Sequence, residues 1–140
     1  RSLGLVCYGL SNAGLDTPWP KTLALKDALA RHLSQRAHAD ETQDLLQALR
    51  AMGEAHDDSL PRTRVPIDLE RRLSRAFVHA PERGYGTRSS LIVHAGAGSL
   101  VLQEWTHQPR VFAERPWHWP LHHSVPRRLE LDWTMPKLGQ

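Results

Sequence analysis

CYGLSNAGLDTPWPK, Cys7 to Lys21, and GYGTRSS, Gly84 to Ser90, are the stretches on which the reading of this 140-residue chain turns. Each sets a strand-like segment against a turn whose polar side chains can converge on a pocket, which is how a rigid scaffold exposes chemistry at a strand end. In the first, Leu3, Leu5, Val6, Cys7 and Tyr8 make a mostly apolar run that predicts a strand buried on both faces, and Gly9 lets the backbone turn. Ser11 and Asn12 follow at its carboxyl end. Asparagine tolerates left-handed backbone and carries an amide that donates and accepts, so the residues alone leave both a turn and an oxyanion contact open. Cys7, inside the apolar run, reads as an inert thiol. Asp16 and Thr17 lead into Pro18, Trp19 and Pro20, where the prolines hold the connection extended and Trp19 is expected over the core. In the second stretch Gly84 and Gly86 free the backbone beside Tyr85, and Arg88 places a fixed charge and a planar fork of donors at the entrance of a strand over Leu91 to His94.

Outward from these strings the pattern changes period. Leu25, Leu29 and Leu33 recur every four residues within Lys21 to Ala37, predicting an amphipathic helix with the leucines inward. A second helix is expected over Glu41 to Met52, with Leu45, Leu46, Leu49 and Met52 buried and Gly53 as its stop. Residues 54–66 lack periodicity and read as a surface loop. Asp68 can cap a third helix, Leu69 to Phe77, with Glu70, Arg71 and Arg72 largely outward. His32, His38 and His56 read as solvated. Ala95 to Gly98 is a hairpin turn, after which Leu100, Leu102 and Glu104 alternate with Val101, Gln103 and Trp105, and a last strand is expected over Arg127 to Trp133. The order of strand, helices and strands gives the fold class α+β, an antiparallel sheet with covering helices.

Bulk properties narrow the partners. Lys and Arg outnumber Asp and Glu by 18 to 15, and the basic residues are scattered rather than striped, which argues against nucleic acid. No apolar run approaches the ~20 residues that span a bilayer. One cysteine cannot form an internal disulfide, so the fold does not depend on an oxidising compartment, and a cytoplasmic location is the default. His118, His122 and His123 cluster in WHWPLHH, but Pro120 disfavours the helix that would align them, so no metal site is expected. Glycine-rich phosphate loops, HExxH and GxSxG strings are missing, and no cofactor is expected.

LGLVCYGLSNAGLDTPWPK at Leu3 to Lys21, the Leu60–Pro61 turn, LERRLSRAFV at Leu69 to Val78 and GYGTRSSLIV at Gly84 to Val93 together resemble the NRDE family, also called the transport and Golgi organisation 2 family. LQEWTHQP at Leu102 to Pro109 is similar to a further family strand, with Trp105 where the family usually has Arg. The resemblance implies a fold similar to part of the four-layer αββα sandwich of the N-terminal nucleophile hydrolases, in which a leading Cys, Ser or Thr attacks an amide C–N bond. The chain opens on Arg1, so residues 1–140 are expected to be one partial domain, its C-terminal portion, inactive alone and completed by a missing N-terminal half. By analogy with amidases of that fold, Asn12 and Arg88 are the expected catalytic residues, with Ser11, Asp16 and Tyr85 contacting substrate. Two functions follow from the resemblance: an amidohydrolase acting on a small amide, or a non-catalytic protein that binds and traffics haem or a lipid or acyl-CoA ligand.

Overall fold

The computed structural model describes residues 6–11, 13–35, 42–96, 98–107, 110–112, 115–118 and 125–132. The expectations for Leu3, Leu5, Asn12, His38, His122, His123 and Trp133, and for the side chain of His118, lie outside them. The fold is α+β, and the described residues form three α-helices and antiparallel strands. The chain divides into two compact units, residues 1–87 and 88–140. Among the described residues no helix is long and apolar enough to cross a membrane.

The first unit begins with residues 6–9, extended but outside any ladder, where a doubly buried strand was expected. Val6 and Tyr8 are two-thirds exposed, so only the alternate positions Cys7 and Gly9 turn inward. The short hairpin β1 (Leu10–Ser11) and β2 (Gly14–Leu15) follows. Pro20 then opens α1 (Pro20–Ser34), a position where its fixed φ is favourable and its missing N–H costs nothing. The buried face of α1 is Thr22, Ala28 and His32, rotated from the leucine stripe, and Leu33 is exposed. His32 is therefore not solvated. Its Nδ1 lies 3.0 Å from Asp44 Oδ1 on α2 (Gln43–Leu49), which satisfies the buried imidazole and ties the two helices.

Helix α3 (Ile67–Leu73) starts two residues earlier than expected, with Pro66 in place of Asp68 at the cap. Glu70 is buried rather than outward, because its Oε1 accepts both the backbone N–H of Thr63 at 2.5 Å and the Thr63 hydroxyl at 2.9 Å. That brace holds a loop in which Arg62 and Arg64 have φ of 55° and 69°, left-handed values that cost a side chain energy. Arg71 pairs with Asp57 and Arg72 with Glu82. Phe77, Val78 and Ala80 carry the chain through the core of this unit, where β3 (His79–Ala80) pairs antiparallel with β4 (Tyr85–Gly86).

The second unit is built on the expected hairpin, β5 (Ser89–Gly96) and β6 (Ser99–Thr106), with β9 (Arg127–Asp132) on the other side of β6. Between them in sequence, β7 (Arg110–Phe112) pairs with β8 (Arg115–His118). The three-stranded sheet has two unlike faces. Val101, Gln103 and Trp105 are buried, with Ser90 opposite Trp105. On the other face Val93, Leu102 and Leu129 lie in one cross-strand row and Ala95, Leu100 and Leu131 in the next. Val93, Leu129 and Leu131 are about half exposed, so this apolar face is open.

Candidate functional site

Residues of the first motif, Cys7 to Ser11 and Lys21, line a cleft of about 370 Å³ in the first unit, open to solvent along one side. One wall is the extended segment, Cys7 to Ser11, and the other is a single face of α1 formed by Lys21, Thr22, Leu25, Lys26 and Leu29. The two walls approach closely at Gly9. A Cβ built there would lie 2.2 Å from Thr22 Cγ2 and 3.2 Å from Lys26 Cδ, so the contact exists only because the residue is glycine. Further along, Cys7 Sγ sits 4.0 Å from the Lys26 carbonyl oxygen. The volume is at the lower end of the ~300–1,000 Å³ of small-molecule sites.

Asp16 organises the mouth. It follows β2 with a left-handed φ of 53°, a conformation that Asp tolerates better than most residues. Its Oδ1 accepts the Gly9 N–H at 2.8 Å and the Lys26 ammonium at 2.7 Å, while its own N–H donates to the Gly9 carbonyl at 2.6 Å. The hydrogen bond from Lys26, reinforced by the one from Gly9, holds the Asp16 carboxyl below the usual carboxylate range. The same bond raises the Lys26 ammonium, so both partners are ionised at neutral pH. Lys21 behaves in the opposite way. Burial lowers its pKa, its Nζ donates to the Leu73 carbonyl at 2.8 Å, and it stands 5.2 Å from the centre of the Trp19 ring.

The residues expected to form the site are thus placed unequally. Ser11 lines the cleft, although its hydroxyl also makes the turn, accepting from Ala13 N–H at 3.3 Å and donating toward the Gly14 carbonyl at 3.5 Å. Asp16 joins it through Lys26. Tyr85 is exposed on β4, where it pairs with Ala80. Arg88 is the first residue of the second unit and is exposed, and its carbonyl accepts the His107 N–H at 2.6 Å. Asn12 lies outside the described residues. Cys7 proves to be half-buried in the cleft wall rather than enclosed in a core. Lys26, Leu25 and Leu29 were missed as lining residues, although the spacing of 21, 22, 25, 26 and 29 marks them as one helix face.

A nucleophile-and-base pair does exist elsewhere. Ser90 Oγ lies 2.9 Å from His107 Nε2 in the second unit, but both residues are under a tenth exposed, so the pair serves the buried face of the sheet and is closed to a substrate. Among the described residues no group of three or more His, Cys, Asp or Glu side chains could hold a metal ion.

The family model described as Transport and Golgi organisation 2 matches residues 1–108. No curated protein and no solved structure matches the chain.

Proposed function

The chain belongs to the Transport and Golgi organisation 2 family, and from that premise we propose that it is a ligand-binding protein of the haem or acyl class, with the cleft of the first unit as its site. The observation that carries this reading is the composition of the cleft: the Lys26 ammonium stands on the same helix face as Leu25 and Leu29. Such a surface offers a cation to an anionic head and aliphatic area to a tail, which suits an amphiphile better than a compact polar amide.

The amidohydrolase reading asks different chemistry of the same residues. It places Asp16 in contact with substrate, and the Asp16 Oδ1 is already engaged by two donors, the Gly9 N–H and Lys26. Its occupied oxygen is a structural acceptor. Equilibrium binding of haem, of a long-chain acyl thioester and of free fatty acids to the full chain tests the proposal, run beside release of amine from small amides. Saturable binding of at least one of these amphiphiles without turnover is the expected result. Amide turnover that is lost on Arg88→Lys would overturn it and restore the hydrolase reading.

A further inference from the structure

We infer that the occupant of the cleft is a single-headed alkyl carboxylate of medium length, whose carboxylate takes the place of Asp16 at Lys26 while its chain lies along Leu25 and Leu29. This deepens the reading above and rests on it.

Size decides the first half of the inference. At ~30 Å³ per water-sized group, a volume of about 370 Å³ holds about a dozen non-hydrogen atoms. Decanoate has that number. Haem has several times as many, and an acyl-CoA is larger still, so either would leave most of its surface in water, whereas small ligands in built sites are mostly covered. The chemistry of the walls is one-headed as well. Leu25 and Leu29 sit one turn apart on α1 with Cys7 opposite, which gives an apolar length for a chain.

Charge decides the second half. Lys21 is committed elsewhere, since its Nζ donates to the Leu73 carbonyl at the end of α3 and its ring contact is with Trp19. Lys26 is held at the mouth of the cleft by Asp16, with side chains 28% and 37% exposed, so this ion pair is wet and open to exchange. A ligand carboxylate offers Lys26 the same acceptor that Asp16 offers. The exchange would swing the Lys26 ammonium to the ligand and leave Asp16, already exposed, on the Gly9 N–H, so no net charge need be buried. Asp16 is thereby a competitor of the ligand rather than one of its contacts.

Cys7 supplies a readout located in the site, because it is the only cysteine of the chain and lines the cleft. The experiment measures the rate of Cys7 alkylation by iodoacetamide in the full chain against butanoate, decanoate, hexadecanoate and haem, with calorimetric affinities alongside. Decanoate is expected to slow alkylation saturably, and butanoate to bind at least tenfold more weakly. Lys26→Gln should weaken decanoate about tenfold, while Asp16→Asn, which keeps a residue tolerant of left-handed backbone and removes the competing charge, should tighten it several-fold. The opposite signs guard against misfolding, which would weaken both. If haem or hexadecanoate protects Cys7 and decanoate does not, the inference is overturned and the binding function stands. Decanoate affinity unchanged in both variants overturns the placement of the head. If neither these four compounds nor a long-chain acyl thioester binds, the binding function falls with it.

Discussion

Replacing Gly9 by alanine tests the contact on which the cleft depends. The added Cβ would meet Thr22 Cγ2 at 2.2 Å, and reaching an ordinary contact of 3.4 Å requires the walls to part by about 1.2 Å. Lys26 Cδ, at 3.2 Å, belongs to a flexible side chain and can swing aside. Thr22 cannot, because it is buried on α1 and its branched side chain has few rotamers in a helix. The cost should be that of an overpacked core position, ~1–3 kcal/mol. Lifting the segment would also strain the paired bonds between Gly9 and Asp16. Thr22→Ser deletes the obstructing methyl and keeps the hydroxyl, so Gly9→Ala should cost less in its presence, with a coupling of ~1–2 kcal/mol in a double-mutant cycle. Urea midpoints at constant m-value give the energies, and Cys7 alkylation reports whether the wall has lifted. A Gly9→Ala protein within ~0.5 kcal/mol of the parent, or a penalty untouched by Thr22→Ser, would refute the argument.

Further outcomes follow from single residues. Asp16 has a folded-state pKa below its unfolded value, so its contribution is present above about pH 4 and is lost as pH falls through the lowered value. Gly9 amide protection in hydrogen exchange should accordingly persist at pH 5 and fade at lower pH, and Asp16→Asn should flatten that dependence. Glu70→Ala removes the charged acceptor of two Thr63 donors in a loop with two left-handed arginines and should cost ~1–3 kcal/mol in urea unfolding. Arg64→Gly relieves a φ of 69° and should cost less than half of that or stabilise the protein. Arg88→Lys, at an exposed position, should leave the thermal midpoint and ligand affinity unchanged, and a loss of either would assign the guanidinium a role.

The sequence was most informative where one period dominated. The β5–β6 hairpin follows from strict alternation around a glycine turn, and its strands run nearly as expected. Helices were legible as elements but not in their orientation. On α1 the leucine spacing of 25, 29 and 33 pointed inward, yet the buried positions are 22, 28 and 32, because His32 pairs with Asp44 and Thr22 meets Gly9. Those partners are far apart in the chain, and periodicity reports only on neighbours. Glu70 misled for the same reason, since its burial is made favourable by Thr63 donors that a helix pattern does not contain. In the cleft, Ser11 and Asp16 were visible as turn residues at a strand end. Lys26 was not, because a lysine on a helix is ordinarily solvent-facing, and only the hairpin folding back over α1 gives it Asp16.

The sheet of the second unit shows the limit of alternation most clearly. Along β6 both sets of alternate residues are apolar enough to be buried: Leu100 and Leu102 on one side, Val101 and Trp105 on the other. Alternation states that they part company and is silent on which side faces inward. The Trp105 face is the buried one, consistent with the larger area that an indole removes from water, and it carries the polar groups that find partners there, Ser90 with His107. That leaves the leucine rows outside, and β9 extends them, since its register sets Leu129 beside Leu102 and Leu131 beside Leu100. A polar residue at these outward positions would be the usual solution for a sheet with one solvated face. Choosing leucine there keeps three strands in contact through side chains on both faces, so the sheet does not rely on its buried face alone for cohesion.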